Sequence, residues 1–142
     1  MAATPVITPE EEEFLREHRF AVLTTLRRDG APQSTPVYYY YEGGKLYISA
    51  TRDRFKTINA QRDPRVSVCA LDEGPPFSYV QVMGSVEVTD EDLTANTRRI
   101  YMLFRSELAD DFEENLKREG RTLLVVTPER VTSRARRVST PS

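Results

Sequence analysis

Short runs of alternating apolar and polar residues fill the chain from Phe20 to Val88, and a helical period takes over from Asp90. The first element lies upstream. Thr8-Pro9-Glu10-Glu11 places a threonine N-cap before a first-turn proline, with glutamate three residues after the cap, and predicts a helix to about Glu17. Phe20–Leu26 is rich in β-branched and apolar residues, and Asp29-Gly30 turns it into a second strand, Gln33–Tyr41. Gly43-Gly44 leads to a third, Lys45–Thr51, with Leu46, Ile48 and Ala50 on one face and Tyr47, Ser49 and Thr51 on the other. In Tyr38–Tyr41 the same alternation puts aromatics on both faces, one pair in a barrel wall and one at an interface or cofactor edge.

Asp53–Gln61 has helical spacing and stops at Asp63-Pro64. Arg65–Leu71 and Tyr79–Val88 are strands four and five, separated by Gly74-Pro75-Pro76. Gly84 interrupts the fifth, as glycine does at a bulge or a close backbone approach. Leu93, Thr97, Ile100, Tyr101, Phe104 and Leu108 then form one stripe of a helix running to Arg118, bent or broken near Asp110 and stopped by Gly120. Leu123–Thr127 and Arg130–Arg136 are expected as two final strands around Pro128-Glu129, with 138–142 a loose tail. Short turns between neighbouring strands favour an antiparallel barrel over a parallel sheet. The expected fold is mainly β with flanking helices (α+β), one domain over 1–142.

Composition narrows the chemistry. With 142 residues the chain can bury roughly two-thirds of its unfolded surface without a metal or disulfide staple. It has one cysteine, Cys69, and one histidine, His18, which removes intramolecular disulfides, Cys/His zinc sites and Cys–His nucleophilic pairs. Cys69 in an apolar strand reads as a small hydrophobe, and His18, between helix and strand, as a surface or capping residue. No apolar run approaches the roughly 18 residues of a membrane span, and acidic residues follow Met1-Ala2-Ala3, so a cytoplasmic protein is expected. A net charge of −2 speaks against a nucleic-acid binder.

That charge is uneven. Acids gather at Glu10–Glu13 and Asp110–Glu114, bases at Arg52–Lys56 and Arg134–Arg137. In Ser49-Ala50-Thr51-Arg52-Asp53-Arg54-Phe55-Lys56 a strand ends in small residues and a helix opens among three cations. A helix N-terminus offers free N–H donors and positive potential, so a phosphate fits there; a solvated basic turn fits the spacing equally well. The glycine-rich phosphate motifs are absent.

The run Phe20–Leu26, then Asp29-Gly30-Ala31-Pro32-Gln33-Ser34-Thr35-Pro36-Val37, Leu46-Tyr47-Ile48-Ser49, Arg54-Phe55-Lys56-Thr57-Ile58-Asn59 and Arg62-Asp63-Pro64-Arg65-Val66-Ser67-Val68 resembles the pyridoxamine-phosphate-oxidase-like split-barrel superfamily. The order of elements matches over the whole chain, and residues 20–71 are the specific part. Within the superfamily the chain looks most like the branch that uses coenzyme F420, a deazaflavin with a phosphate and an oligoglutamate tail. The resemblance implies that Gln33, Ser34, Thr35, Pro36 and Val37 run beside the ring, and that Ser49, Ala50 and Thr51 approach the phosphate-bearing side chain. Lys56 matches the family's phosphate-binding lysine, among Arg52, Arg54 and Phe55, and Asn59 follows one turn later. Tyr79, Val80 and Gln81 would reach the cofactor from the partner of a homodimer.

Pyridoxamine-phosphate oxidases carry arginine and lysine on strand two where this chain has Gln33 and Tyr38, and a C-terminal tryptophan/arginine segment where it has Arg136-Arg137-Val138-Ser139 and no tryptophan. The resemblance therefore implies hydride transfer between F420 and a small unsaturated or conjugated substrate. FMN is the alternative cofactor, and a non-catalytic cofactor carrier the alternative role. Such chemistry resides in the cofactor, so no catalytic side chain and no metal are expected. The basic stretch Arg134–Arg137 is a surface strand or a groove for the oligoglutamate tail.

Overall fold

The computed structural model describes residues 6–134; Arg136, Arg137 and the expected tail 138–142 lie outside them. Helix α1 (Pro9–Glu17) starts as the sequence requires. The Thr8 Oγ1 accepts from the Glu11 N–H at 3.2 Å, while the Glu11 carboxylate accepts from the Thr8 N–H at 3.0 Å. Strands β1 (Phe20–Leu26), β2 (Pro32–Glu42), β3 (Lys45–Thr51), β4 (Arg65–Leu71), β5 (Tyr79–Thr89) and β6 (Arg121–Ser133) close an antiparallel barrel in the order β1-β2-β3-β6-β5-β4. Helix α2 (Phe55–Arg62) joins β3 to β4, and α3 (Leu93–Tyr101) and α4 (Phe112–Glu119) join β5 to β6.

The two-residue period sends Ala21 and Leu23, Val37 and Tyr39, Leu46, Ile48 and Ala50, Val66, Val68 and Ala70, Val80 and Val82, and Leu124 and Val126 into one core. Helix α1 closes the end near the Gly43-Gly44 turn: Leu15 is buried, and its carbonyl accepts a hydrogen bond from the Tyr39 hydroxyl at 2.8 Å. At the opposite end α2 buries Thr57, Asn59 and Ala60. Helix α3 packs on the outside of β2, β3 and β6.

Three expectations change. The long helix divides, because the chain leaves the α3 axis after Tyr101 and Phe104 folds back to stack on Tyr38, ring centroids 4.3 Å apart. The two final strands are one. Pro128, which cannot donate to a ladder, sits at a bulge where Gly84 pairs with Pro128 and Met83 with Arg130, leaving Glu129 as the extra residue. Gly84 is required there, since an added Cβ would overlap the Thr127 carbonyl oxygen. Finally, the outward tyrosines are covered by this chain's own α3 segment. Tyr40 stacks on Tyr47 at 4.7 Å and its hydroxyl donates to Asn96, while Tyr38 lies between Phe20 and Phe104.

Candidate functional site

Registers locate an opening in the barrel wall. The β2–β3 ladder runs only from Tyr39↔Ile48 to Glu42↔Lys45. Beyond it β2 follows β1 as far as Pro32, while β3 follows β6 as far as Thr51. The strands diverge, leaving the facing edges of 33–38 and 49–51 without a ladder between them. Ser49 is the first β3 residue past the split, and its Oγ is buried with no hydrogen-bond partner. Thr97 Oγ1 on α3, the helix that packs against β3, is likewise buried without a partner, and Ser49 does not line the cavity at the split.

Where the split widens, a cavity of about 310 Å³ is lined by Gln33, Thr35, Thr51, Arg54, Phe55, Lys56 and Arg121. The β3–α2 junction that shapes it is locally determined. Thr57 Oγ1 donates to the Thr51 carbonyl at 2.7 Å, and Thr51 Oγ1 donates to Asp53 at 2.7 Å, which holds the Asp53 carboxyl below its ordinary range. Arg54 occupies the α2 N-cap with no side-chain capping bond, so the first turn of α2 opens onto the cavity uncapped. Burial, then the charges of Arg54 and Arg121, pushes the Lys56 ammonium below its usual value. Among the described residues no carboxylate lines this cavity, and Arg54 and Lys56 enter no ion pair. Crowded, partly desolvated cations at a helix start form a seat for an anion. The donor set fits a phosphate.

Six of the residues singled out in the sequence thus meet: Gln33, Thr35, Thr51, Arg54, Phe55 and Lys56. Others do not. The side chains of Val37, Ala50 and Val80 belong to the core, because their strand parity points them inward. Ser34 and Pro36 face outward on β2, where Ser34 Oγ and Thr24 Oγ1 are 2.9 Å apart. Arg52 is held by Asp90 and lines a neighbouring cavity. Asn59 is buried beneath the site, where its amide donates to Gln33 Oε1 at 2.9 Å and Thr25 Oγ1 at 3.1 Å. It orients Gln33 rather than facing the cavity. Tyr79 and Gln81 lie on the exterior of β5, outside this cavity.

Sequence reading missed Arg121. It lies 65 positions from Lys56, and only the Thr51↔Arg121 register brings it to the seat. The αL Gly120 before it was the one legible signal that a strand begins there.

His18 and Cys69 stand apart. His18 caps α1, with Nδ1 2.8 Å from the Phe14 carbonyl oxygen and Nε2 2.7 Å from Asp72 Oδ1, tying α1 to the end of β4. Cys69 is half-buried on the outer face of β4, and burial pushes its thiol up, away from the reactive thiolate. Among the described residues no group of three or more His, Cys, Asp or Glu could hold a metal, and no helix is long and apolar enough to cross a membrane.

A family model described as pyridoxamine 5'-phosphate oxidase matches residues 7–135. Among solved structures, an F420 reductase is 25% identical, with a TM-score of 0.70 over 85% of this chain and 94% of that one. A conserved hypothetical protein from Mycobacterium tuberculosis is 20% identical, with a TM-score of 0.77 over 100% of this chain and 94% of that one. A FAD-binding protein from Mesorhizobium loti is 21% identical, with a TM-score of 0.66 over 89% and 94%.

Proposed function

The chain belongs to the pyridoxamine 5'-phosphate oxidase family, and from that premise we propose that it is an F420-dependent reductase acting on a small unsaturated or conjugated substrate. The observation that carries this reading is the seat of Arg54, Lys56 and Arg121 beside the open β2–β3 split, in which Arg54 and Lys56 have no acidic partner among the described residues and only Arg121 is paired, with Glu119. The likeness to an F420 reductase supports the choice of deazaflavin. Gln33 and Tyr38, in place of a basic pair on β2, support it against FMN.

A reduced deazaflavin supplies a hydride when bound. The protein's part is to hold and orient. Lys56, Arg54 and Arg121 would hold the phosphate, with Thr51 beside them. The unladdered edge of 33–37 would face the ring, and Gln33 is fixed from below by Asn59. No cysteine or histidine lines the cavity, and a dedicated protein acid is not essential if solvent or the substrate supplies the proton that completes reduction.

The second half of the site comes from another copy of this chain. Val22 pairs with Pro36 and Cys69, and Cys69 with Gln81, making a largely apolar row across the outside of β2, β1, β4 and β5. Phe20 and Leu71 on the same exterior are 51% and 49% exposed. Polar groups on this face already pair with one another, as Gln81 Nε2 does with Ser67 Oγ at 2.9 Å. A face with internally satisfied polar groups loses little when covered, so a homodimer through it is favourable. Tyr79 and Gln81 are then offered to the partner's cofactor.

Fluorescence-quenching titration tests the cofactor. F420 is expected to bind at least about tenfold tighter than FMN, a difference of about 1.4 kcal/mol. Tighter FMN binding would transfer the reading to a flavin-dependent oxidoreductase. A protein that binds F420 but shows no turnover across a panel of conjugated acceptors would be a carrier.

A further inference from the structure

The surroundings of Gln33 decide which end of its amide is left for the cavity. Thr25 and Gln33 are register partners on β1 and β2, so both side chains leave the sheet on the same face, the one on which Thr25 is buried. Asn59 of α2 lies against them, 4% exposed, and its Nδ2 donates to Thr25 Oγ1 at 3.1 Å and to Gln33 Oε1 at 2.9 Å. The nitrogen and oxygen of a carboxamide have nearly the same shape, so a neighbour that can only donate or only accept fixes which way the amide points. Arg62, the last residue of α2, is that neighbour. A guanidinium has no acceptor, and its Nη2 donates to Asn59 Oδ1 at 3.1 Å and to the Leu26 carbonyl at 2.6 Å. Arg62 enters no ion pair among the described residues, so no carboxylate draws it away. Asn59 must therefore turn its oxygen to Arg62 and its N–H groups to Thr25 and Gln33. Gln33 in turn must give Asn59 its oxygen. That leaves its Nε2 N–H groups, unbonded among the described residues, for the cavity it lines with Arg54, Lys56 and Arg121.

We propose that Arg62, acting through Asn59, sets Gln33 as a hydrogen-bond donor to an acceptor oxygen of the bound cofactor. The inference rests on the reading of the cavity as the cofactor's seat. Three cations attract any anion, whereas a neutral N–H donor of fixed polarity selects an acceptor at one position. The phosphate and the ring carbonyls both carry such oxygens. Arg62 touches no ligand in this scheme. It is a positioning residue, and its effect is carried by the direction of two amides. With a side chain that cannot donate at position 62, Asn59 is free to reverse, and Gln33 reverses with it. The cavity then meets Gln33 Oε1, an acceptor set against the acceptor oxygens of the ligand, and the hydrogen bond is lost.

A double-mutant cycle on the affinities for F420 and FMN tests the relay, with Gln33→Met made in the wild type, in Arg62→Met and in Arg62→Lys. In the wild type Gln33→Met is expected to weaken both cofactors about three- to tenfold, the loss of one hydrogen bond. In the Arg62→Met background the same substitution changes affinity by less than about twofold, and in Arg62→Lys, which keeps a donor, the wild-type factor returns. Urea unfolding is followed in parallel. An arginine that only clamps the Leu26 carbonyl lowers stability when replaced but leaves the Gln33 factor the same in every background, which overturns the relay. Amide exchange by NMR reads the polarity in the wild type itself. The Gln33 side-chain amide protons, assigned by their absence in Gln33→Met, are expected to exchange at least about tenfold more slowly once cofactor is bound, while those of Asn59 are protected throughout. Slowing by saturating inorganic phosphate alone assigns the acceptor to the phosphate, and slowing only by the whole cofactor assigns it to the ring. No slowing with either cofactor bound overturns the proposal and spares the seat. Failure of both cofactors to bind overturns the seat and the relay together.

Discussion

Lys56 shows most directly how one side chain couples fold to ligand. It sits in the first turn of α2, with the charges of Arg54 and Arg121 close enough to push its ammonium below the ordinary value. A bound phosphate would reverse that, favouring the charged form. Binding then takes up a proton in the window between the lowered free-site value and the raised bound one, and affinity falls as pH rises through it. Without ligand the sign is opposite. The unfolded chain holds this proton more tightly than the folded one, so stability rises with pH between the lowered folded value and the ordinary unfolded one. Lys56→Ala is expected to weaken phosphate-bearing cofactors by about 1.5–3 kcal/mol, ten- to a hundredfold, with the fold intact. Titrations at several pH values check both the size and the slope. Asn59 acts beneath the same site but on stability. Asn59→Ala leaves Thr25 and Gln33 without their shared donor and is expected to cost about 1–3 kcal/mol in urea unfolding, with a smaller loss of cofactor affinity than Lys56→Ala.

Among the elements, β6 departs furthest from simple pattern. A proline in a strand normally ends it, yet β6 continues from Arg121 to Ser133 because the partner strand offers a glycine at the matching position. Gly84 lets the Thr127 carbonyl approach closer than any Cβ permits, and the bulge turns Glu129 out of the ladder. Gly84→Ala must move one of two paired backbones, so it is expected to destabilise by about 1–3 kcal/mol or more. Thr8→Ala, which removes one half of the α1 capping box, should cost only about 1 kcal/mol. Chemical denaturation of both variants ranks them, and a Gly84→Ala protein as stable as wild type would contradict the close approach.

As a whole, the barrel is plugged by α1 and α2 at its two ends and flanked by α3 on β2, β3 and β6. The outside of β1, β4 and β5 remains, with Phe20 and Leu71 about half exposed. A cavity of about 430 Å³ beside the bulge, bordered by Leu26, Ser67, Met83 and Arg130, continues this face. If a second copy covers it, sedimentation will give a dimer at micromolar concentration. Val22→Lys, which puts a charge in the centre of the Pro36–Val22–Cys69–Gln81 row, should yield a folded monomer with weakened cofactor binding. A monomeric wild type, or a Val22→Lys dimer as tight as wild type, would place the interface elsewhere and remove Tyr79 and Gln81 from the site.

The sequence alone determined whatever depends on near neighbours. The capping box of α1, the extents of β1 to β5, the two faces of β3, the turns at Asp29-Gly30 and Gly43-Gly44, and the junction from Thr51 to Lys56 all rest on contacts a few residues apart, which periodicity and turn chemistry report directly. The seat was half legible for the same reason, since Arg54, Phe55 and Lys56 are consecutive. Tertiary structure decided the rest. Which face of β2 Val37 shows, that Asn59 spends its amide on Gln33, that Arg52 belongs to Asp90, and that Arg121 completes the seat all follow from register and closure. So does the fate of the last third of the chain. Helical spacing cannot say that Phe104 turns back to Tyr38, and Pro128 reads as a break until Gly84 is set opposite it. Those outcomes depend on partners 44 to 66 residues away, and one chain's local pattern carries no record of which partner the closing barrel will supply.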